Sequence, residues 1–452
     1  MPKTIFNTTE KSNFILNMKD KTVDKLSLAV LSGICILITL SQIPAEFGYG
    51  LTDMPFLAIG ICGVFSIVTG IILFLRKRAS KEQIPVFCIA GFLFLWSLIS
   101  YYDSYDMHTA LWGQDGRYDG LVTTITYIFI FFTASMINEK EIEKLFDLIL
   151  CVGVFQCLWS FYQLMPFGTS YYKNLEVIAV KNVNLTSGLT GSPLFFAMLM
   201  TIMLSISLYG SVFSENKKRR IFYTIAIVPF VFSILQTHTL SGITGIIIVS
   251  AINLIISIKK HKIKKSTLVI CLVMWIFVGI SLFNQYKFYD GGIIWQDSFF
   301  RLGVTGYFSF NAADFDINNL KELYSYLWNE ALSAIKQFPL TGTGIDCFAF
   351  TQYKTTSILQ YELNSIDRPY NDYLFLAATR GIPYLIGYIA MIVYCIAKGI
   401  KNARHNKSWY FLAIPSIMAA FALMSLFNNS SVSYMPFIWI IMGLSVRSGQ
   451  QN

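Results

Sequence analysis

Long apolar segments separated by short polar ones recur along nearly the whole chain. A helix of about 20 mostly apolar residues crosses a bilayer, and twelve segments of this kind can be marked. They lie at 26–43, 54–75, 84–101, 121–138, 145–165, 189–213, 221–236, 240–258, 267–285, 381–398, 409–428 and 434–446. The pattern predicts one polytopic membrane domain of the all-α class, with about twelve transmembrane helices.

Composition supports a membrane protein. Of the 452 residues, 54% are hydrophobic and only 13% are charged, whereas soluble domains contain about 25% charged residues. The net charge of +9 could indicate nucleic-acid binding, but the basic residues form short clusters between apolar runs, as in cytoplasmic loops. We therefore expect membrane lipid, and no nucleic acid, around this chain.

The basic clusters also predict the orientation in the membrane. They lie at 76–81, 217–220, 259–265 and 398–407, in alternate connecting segments, which by the positive-inside rule places both termini in the cytoplasm. The polar N-terminal 25 residues have no apolar core, so no cleavable signal peptide is expected. This scheme divides the chain into a cytoplasmic segment (1–25), nine spans (26–285), a large extracytoplasmic loop (286–380), three spans (381–446) and a cytoplasmic tail (447–452).

The segment at 286–380 is the largest predicted extracytoplasmic feature. Loops of this length in compact proteins usually carry function, and this one has more acidic than basic residues. Its region 319–338 has apolar residues at helical spacing, namely Leu320, Leu323, Leu327, Ala331, Leu332 and Ile335. Asn319 and Glu322 have the spacing of a capping box, and Pro339 ends the pattern. We expect an amphipathic helix on the outer membrane surface.

Few chemically active side chains occur within the predicted spans. Seven of the eight cysteines lie in apolar runs and only Cys347 lies in a long polar stretch, so neither a disulfide framework nor a metal site is predicted. Asp147 is the main ionisable residue inside a span, and its position favours the interface. Polar chemistry is therefore expected in the exported segments, which contain Arg117, Asp119, Lys173, Lys181, Arg301, Arg368 and Arg380.

Four short stretches are candidates for that chemistry, and each also has a purely structural interpretation. Gly116-Arg117-Tyr118-Asp119-Gly120 could be a turn with an interfacial arginine, and His238, between two spans, could be a loop or cap residue. Gly342-Thr343-Gly344 could offer backbone N–H groups to an anion or form a simple turn. The structural interpretation of Asp367-Arg368-Pro369-Tyr370-Asn371-Asp372-Tyr373, which is followed by Arg380, is that it anchors a helix at the membrane interface.

Taken together, the order and spacing of these stretches resemble the O-antigen ligase and O-antigen polymerase superfamily of bacterial envelope glycan enzymes. Gly116–Leu121 is similar to the family's G-R-Y-E-G-L, with Asp119 in place of Glu. Trp328, Ala331, Pro339 and Gly342-Thr343-Gly344 match W-x-x-A-L-x-x-I-x-x-x-P-L-x-G-T-G, and Arg301-Leu302 resembles the Arg-Leu before it. Asp367–Leu374 with Gly381 resembles D-[KR]-[PA]-H-N-x-Y-L and its following glycine.

The resemblance implies an activity at the outer face of the bacterial cytoplasmic membrane. Members of this superfamily transfer an oligosaccharide from a polyprenyl-pyrophosphate carrier to an acceptor hydroxyl, without a bound metal or other cofactor. Arginine presents a planar fork suited to phosphate oxygens. The implied binding residues for pyrophosphate or glycan are Arg117, Arg301, Arg368, Arg380, Asn371, Gly342 and Gly344.

Two positions depart from the family pattern. Tyr370 stands where the family has His, and Leu240 stands where a T-x-S-R element supplies Arg. A phenol with its ordinary pKa near 10 is a poor base at neutral pH, so Tyr370 is expected to orient the acceptor. Deprotonation could then fall to Asp367, Asp372 or His238.

Two alternatives remain open from the sequence. A non-catalytic protein that binds or assembles lipid-linked glycans on the same scaffold would account for Tyr370 and Leu240. A secondary transporter would account for twelve spans, but it leaves the large exported segment unexplained.

Overall fold

The computed structural model describes residues 18–47, 53–165, 168, 186–237, 239–260, 265–284, 286–289, 292–295, 317–351, 368–405 and 408–447. Within these ranges, the helices before the strands are α1 (Asp20–Leu40), α2 (Ile43–Glu46), α3 (Met54–Leu75), α4 (Ile84–Tyr102), α5 (Met107–Trp112), α6 (Leu121–Ser135), α7 (Glu139–Leu164), α8 (Pro193–Phe213), α9 (Lys217–Gln236), α10 (Leu240–Lys259) and α11 (Lys265–Asn284). Strands β1 (Tyr286–Tyr289) and β2 (Gly292–Trp295) follow, and then α12 (Ile317–Gln337), α13 (Asp372–His405), α14 (Tyr410–Met424) and α15 (Met435–Ser445). Short 3₁₀ turns lie at Lys81–Gln83, Phe348–Thr351 and Ser425–Phe427 in the described part of the chain.

The helices confirm a multi-pass membrane protein. Within the described ranges, nine helices are long and apolar enough to cross a membrane, and three shorter apolar helices lie at Leu121–Ser135, Leu268–Ile280 and Met435–Ser445. Each predicted span thus contains an apolar helix. The total of twelve crossings, and the side of the membrane on which each end lies, stay predictions.

Helix α8 forms the centre of the bundle. Its most apolar window is 89% buried, against 28% for the window in Lys81–Tyr102. A helix that is apolar on all sides suits such a central position, and α8 packs against α9, α10 and α14. The apolar faces of α3, α4 and α9 instead remain exposed at the outside of the bundle, where lipid can contact them.

The turn between α9 and α10 is short, as the sequence predicts. The Thr239 hydroxyl accepts a hydrogen bond from the Gly242 amide (3.2 Å) and lies 2.9 Å from the Thr237 hydroxyl. Thr239 therefore caps α10 and separates the two helices.

Helix α12 is amphipathic, but it differs from the prediction in two respects. It begins at Ile317, so Asn319 lies inside the helix and the predicted capping box is wrong, because a cap residue must precede the first helical turn. Leu327, Ala331 and Ala334 form the buried stripe, whereas Leu332 is 43% exposed. The buried face packs on α13, and the helix ends before Pro339 as expected.

Helix α13 begins nine residues before the predicted span at 381–398. It runs from Asp372 to His405 with a kink at Gly381, whose φ of 83° and ψ of 165° are not helical. Residues 372–380 of the predicted extracytoplasmic loop are therefore helical, and the chain passes through the kink into the apolar segment.

One short β-hairpin follows α11 in a structure that is otherwise helical, as the all-α class predicts. Strands β1 and β2 pair antiparallel, with Tyr286 opposite Trp295 and Tyr289 opposite Gly292. The sequence carried a signal for it, since aromatic and β-branched residues favour strands and Asp290-Gly291 is a typical hairpin turn pair.

Candidate functional site

Four chain segments meet at one end of the bundle and bring together six buried or largely buried charged residues. The segments are the loop between α5 and α6, the turn after α12, the start of α13 and the loop between α14 and α15. We call the six residues the charge cluster: Arg117, Arg368, Arg380, Asp119, Asp346 and Asp372. The structure thus brings three of the four predicted arginines into one site.

The loop between α5 and α6 carries Arg117 and Asp119. It starts from α5, whose N-cap Asp106 accepts a hydrogen bond from the Thr109 amide (2.8 Å). Hydrogen bonds from Thr109 hold the pKa of Asp106 below its ordinary value. The Tyr118 hydroxyl donates to Asp53 at the start of α3, and burial together with this bond raises the pKa of Tyr118. Both contacts fix the position of the loop.

Asp346 connects the two arginines that come from different parts of the chain. Its carboxylate lies 3.1 Å from the Arg117 guanidinium and 3.7 Å from that of Arg368, and it accepts a hydrogen bond from the Gln114 amide at 2.8 Å. The Asp346 side chain is fully buried. Burial raises its pKa above the ordinary value, and the two guanidinium groups oppose that rise. Asp346 did not emerge as a site residue from the sequence because its role depends on these distant partners.

Arg368 lies at the centre of the cluster. Its guanidinium stacks over the Phe375 ring at 5.0 Å, donates to the backbone carbonyl of Ser430 and lies 3.6 Å from the Asp119 carboxylate. Its side chain is only 4% exposed. A buried guanidinium held by an aromatic face, a carbonyl and a carboxylate is well oriented.

Ser430, in the loop between α14 and α15, also contacts the carboxylates. Its hydroxyl donates to Asp119 (2.7 Å), and its amide donates to Asp372 (3.1 Å). Sequence reasoning missed this residue. The available signal was the polar run Asn428-Asn429-Ser430-Ser431 between two apolar spans.

Arg380 approaches the cluster from within α13. It donates to the Tyr384 hydroxyl (2.8 Å), stacks on that ring at 4.8 Å, and reaches the Asp119 backbone carbonyl at 3.5 Å. Its side chain is almost completely buried. Arg380 therefore adds a buried positive charge to the cluster.

Tyr370 and Asn371 lie immediately before α13. Tyr370 is half-buried and has a φ of 51°, in the left-handed region. The Asn371 side chain accepts a hydrogen bond from the Leu374 amide (3.0 Å) and so caps α13, although the sequence predicted that it binds substrate. Trp328 of α12 donates to the Pro369 carbonyl (3.2 Å), which ties the amphipathic helix to this segment.

The glycine-rich turn after α12 has a packing role. The amides of Gly342, Thr343 and Gly344 donate to the carbonyls of Phe338, Ala378 and Thr379 at 2.9–3.0 Å. A Cβ on Gly342 would lie 2.3 Å from the Thr379 backbone. These amides are therefore committed to the chain itself and not to an anion, because the turn lies directly against α13.

Several predicted residues fall elsewhere. Asp367, His238, Arg301, Lys173 and Lys181 lie outside the described residues. Asp147 pairs with Arg219 at 2.9 Å and is partly exposed, near the first turns of α7, as expected for an interfacial residue. Cys347 is buried, and burial raises its pKa to about 12, so it is a poor nucleophile.

The cluster contains three arginines and three aspartates, so its charges balance when all are ionised. Its arginines differ in access, since the Arg117 side chain is 16% exposed and that of Arg368 is 4% exposed. An anion arriving from solvent would meet Arg117 first.

Among the described residues, no group of three or more His, Cys, Asp or Glu residues could hold a metal ion.

Comparison with known families finds a match in the central part of this chain. Residues 188–389 match the family model described as O-Antigen ligase, which confirms the resemblance to the O-antigen ligase superfamily. No curated protein matches the chain. The matched region includes Asp346, Arg368, Asp372 and Arg380, whereas Arg117, Asp119 and Ser430 lie outside it and join the site through the fold.

Proposed function

We propose that this protein is an integral membrane glycan ligase or polymerase. It would transfer an oligosaccharide from a polyprenyl-pyrophosphate carrier to an acceptor hydroxyl at the outer face of a bacterial cytoplasmic membrane. The observation that carries the proposal is the charge cluster, which places three arginines at one end of a membrane bundle, partly within the region that matches the O-Antigen ligase family.

The reaction needs stabilisation of its leaving group. The acceptor oxygen forms a bond to the anomeric carbon of the transferred sugar, and the bond from that carbon to the pyrophosphate oxygen breaks. The electron pair leaves with the polyprenyl pyrophosphate, and the acceptor proton passes to a base. Fixed positive charge near the leaving oxygen lowers the barrier because negative charge develops there.

The arginines would divide this task according to the solvent exposure of their side chains. Arg117, the more exposed of the pair at Asp346, would contact the pyrophosphate directly. Arg368 and Arg380 would orient and stabilise it, because their lower exposure strengthens electrostatic interactions. The polyprenyl tail would lie along the apolar helices.

Proton removal has two described candidates. Tyr370 is half-buried and could orient the acceptor hydroxyl, whereas Asp372 is buried and accepts a hydrogen bond from Ser430. Asp367 and His238 remain candidates from the sequence alone. We assign Tyr370 the orienting role, because a phenol is a weak base at neutral pH.

A second function fits one specific feature of the site. A non-catalytic protein that binds lipid-linked glycans would need neither the histidine that Tyr370 replaces nor an excess of positive charge. The balanced charges of the cluster and Tyr370 both suit that alternative.

Arginine substitutions test the proposal. Purified protein, supplied with a polyprenyl-pyrophosphate-linked oligosaccharide and an acceptor glycan, should lose transfer on Arg117→Ala or Arg368→Ala. Lysine should rescue poorly, because one ammonium group does not reproduce two parallel hydrogen bonds. Arg219→Ala, which breaks an ion pair near the first turns of α7, is the matched control and should retain activity.

Two results would count against the proposal. Normal transfer by both alanine variants would exclude the charge cluster as the pyrophosphate site. Binding of the lipid-linked donor by the wild-type protein, without transfer under any acceptor condition, would favour the non-catalytic alternative.

A further inference from the structure

A polar cavity of about 410 Å³ lies at the far end of α15 from the charge cluster. Helix α15 starts just after the loop of Ser430, beside that cluster, and ends at Ser445, beside the cavity. By the predicted topology, this is the cytoplasmic end of the bundle. The residues that line the cavity include Glu139, Lys140, Glu143, Ser408, Tyr410 and Arg447.

The two acidic residues of this cavity already have partners within the protein. The Glu139 carboxylate accepts a hydrogen bond from the Tyr410 hydroxyl at 3.1 Å. The Glu143 carboxylate accepts one from the Trp409 indole at 3.2 Å and pairs with the Arg219 guanidinium. The hydrogen-bonding capacity that remains at the cavity therefore belongs mainly to its cations.

Arg447 is a buried cation whose charge is not fully compensated. Its side chain is 6% exposed, and its guanidinium lies 3.5 Å from the Glu139 carboxylate, which is longer than an ordinary N–H···O hydrogen bond of about 2.9 Å. The buried Nη1 atom has no hydrogen-bond partner among the described residues. Burial lowers the pKa of Arg447, and the Glu139 carboxylate opposes this effect without cancelling it. An anion in the cavity would supply the missing partner.

Lys140 provides a second cation at the same cavity. It is exposed, and it forms no ion pair within the described ranges. Lys144, one turn further along α7, instead pairs with Glu141 at 2.8 Å. Arginine offers a planar fork of N–H groups and lysine a flexible point charge, and both bind phosphate oxygens.

The position and size of the cavity favour the phosphate group of a membrane lipid. Tyr410 is the first residue of the apolar helix α14, and Arg447 lies just past the end of the apolar helix α15. Such helix ends lie near the lipid headgroups, and basic pockets at cytoplasmic helix ends bind anionic headgroups. The volume of about 410 Å³ falls within the range of about 300–1,000 Å³ for small-molecule sites. A lone inorganic ion would leave most of that volume to water, which takes about 30 Å³ per molecule.

We propose that this cavity binds the phosphate group of an anionic phospholipid, with Arg447 as the principal partner and Lys140 as the second. The lipid would bridge the start of α7, the start of α14 and the end of α15, which all contribute to the lining. This site is separate from the charge cluster, and the inference does not depend on the proposed function.

Native mass spectrometry of the full chain in detergent measures the binding directly, with phosphatidylglycerol as the probe. Arg447→Gln should weaken binding by about 10-fold or more, the effect expected for hydrogen bonds to a charged group. Lys140→Gln should weaken it by about fivefold, as expected for one basic residue near a lipid phosphate. Lys144→Gln is the matched control, because it removes the same charge from the next turn of α7, outside the cavity. It should bind as the wild type does.

Two competing ligands identify the source of the phosphate. Phosphatidylcholine carries the same phosphate with a compensating cation, so it should bind more weakly than phosphatidylglycerol. An excess of inorganic phosphate should leave phosphatidylglycerol bound. Displacement of the lipid by inorganic phosphate would overturn the assignment to a lipid and show a site for soluble phosphate. Arg117→Ala should retain the binding, because Arg117 belongs to the charge cluster at the other end of the bundle.

The variants leave the inference open to refutation. Binding like that of the wild type in Lys140→Gln or in folded Arg447→Gln would overturn it, and so would an equal loss in Lys144→Gln. If Arg447→Gln does not fold, Lys140→Gln decides alone, because its side chain is exposed. Lipid binding is measured without glycan transfer. A protein that binds the lipid as expected and transfers no glycan would therefore refute only the proposed function.

Discussion

The kink of α13 at Gly381 provides the sharpest structural prediction, through Gly381→Ala. A Cβ at this position would lie 1.8 Å from the Leu340 carbonyl oxygen and 2.3 Å from its carbon. Both atoms belong to the backbone, so no side-chain rotation can relieve the contact. The φ of 83° with ψ of 165° is also a conformation that is essentially restricted to glycine.

The expected loss in the free energy of unfolding is large. Backbone strain at such a position is worth about 1–3 kcal/mol, and forcing an additional carbon into a packed site costs about 1–3 kcal/mol more. The sum, about 2–6 kcal/mol, is a considerable part of the ordinary stability of about 5–15 kcal/mol. Activity should fall as well, because the Ile382 amide bonds the Pro339 carbonyl (2.8 Å) and Trp96 bonds the Arg380 carbonyl (3.2 Å), which together position Arg380.

The assay is unfolding of detergent-solubilised protein by a denaturant, with Gly399→Ala as the matched control in the same helix. Gly399 has helical geometry, and the nearest atom to its added Cβ is Pro415 Cγ at 3.3 Å. Alanine gains about 0.5–1 kcal/mol over glycine in a helix, so the control should stay close to wild type. If Gly381→Ala were as stable as Gly399→Ala, the proposed close contact between α13 and the glycine-rich turn would be wrong.

Three further predictions concern the site and its orientation. Asp106→Ala should destabilise the protein by about 1 kcal/mol at neutral pH, because it removes the cap of α5. The pKa of Asp106 is lowered in the folded state, so this loss of stability should disappear as the pH falls through that pKa. Asp115→Ala, at an exposed position, is the control and should change denaturant unfolding little. Tyr370→Phe should lower the transfer rate modestly, and Tyr370→His should preserve or raise it, since a positioned acid–base group accelerates a reaction by about 10²–10⁴-fold. Initial transfer rates measure both effects. A complete loss of transfer in Tyr370→Phe would contradict an orienting role. The topology can be tested with single cysteines in a background in which Cys88 and Cys151 are replaced by serine. A cysteine at exposed Asp115 should react with an impermeant thiol reagent in intact cells, whereas one at exposed Lys217 should react only after permeabilisation. The opposite pattern would reverse the predicted topology.

Local pattern accounts for much of the fold. The apolar runs predicted the helices because burial of apolar side chains and internal satisfaction of backbone hydrogen bonds both act on contiguous sequence. The end of α12 before Pro339 followed from the missing N–H of proline. The predicted start of α12 was wrong, because Asn319 matches a cap motif but lies inside a helix that begins at Ile317.

The candidate site was only partly predictable. Arg117, Arg368 and Arg380 were identified from their motifs, but Asn371 caps a helix and the amides of Gly342 and Gly344 bind the chain's own carbonyls. A motif gives the residue type and spacing. It does not reveal whether a polar group has already found a partner within the protein.

The sequence by itself determined a multi-pass helical membrane protein that resembles the O-antigen ligases, and it pointed to the arginines of the exported segments. Only the tertiary structure showed that Asp346 lies between Arg117 and Arg368, and that Ser430 bonds Asp119 across 311 positions of the chain. The physical reason is the range of the interactions. Hydrophobic periodicity and capping act within a few residues, whereas ion pairs and side-chain hydrogen bonds depend on which distant segments the packing of helices brings within about 4 Å.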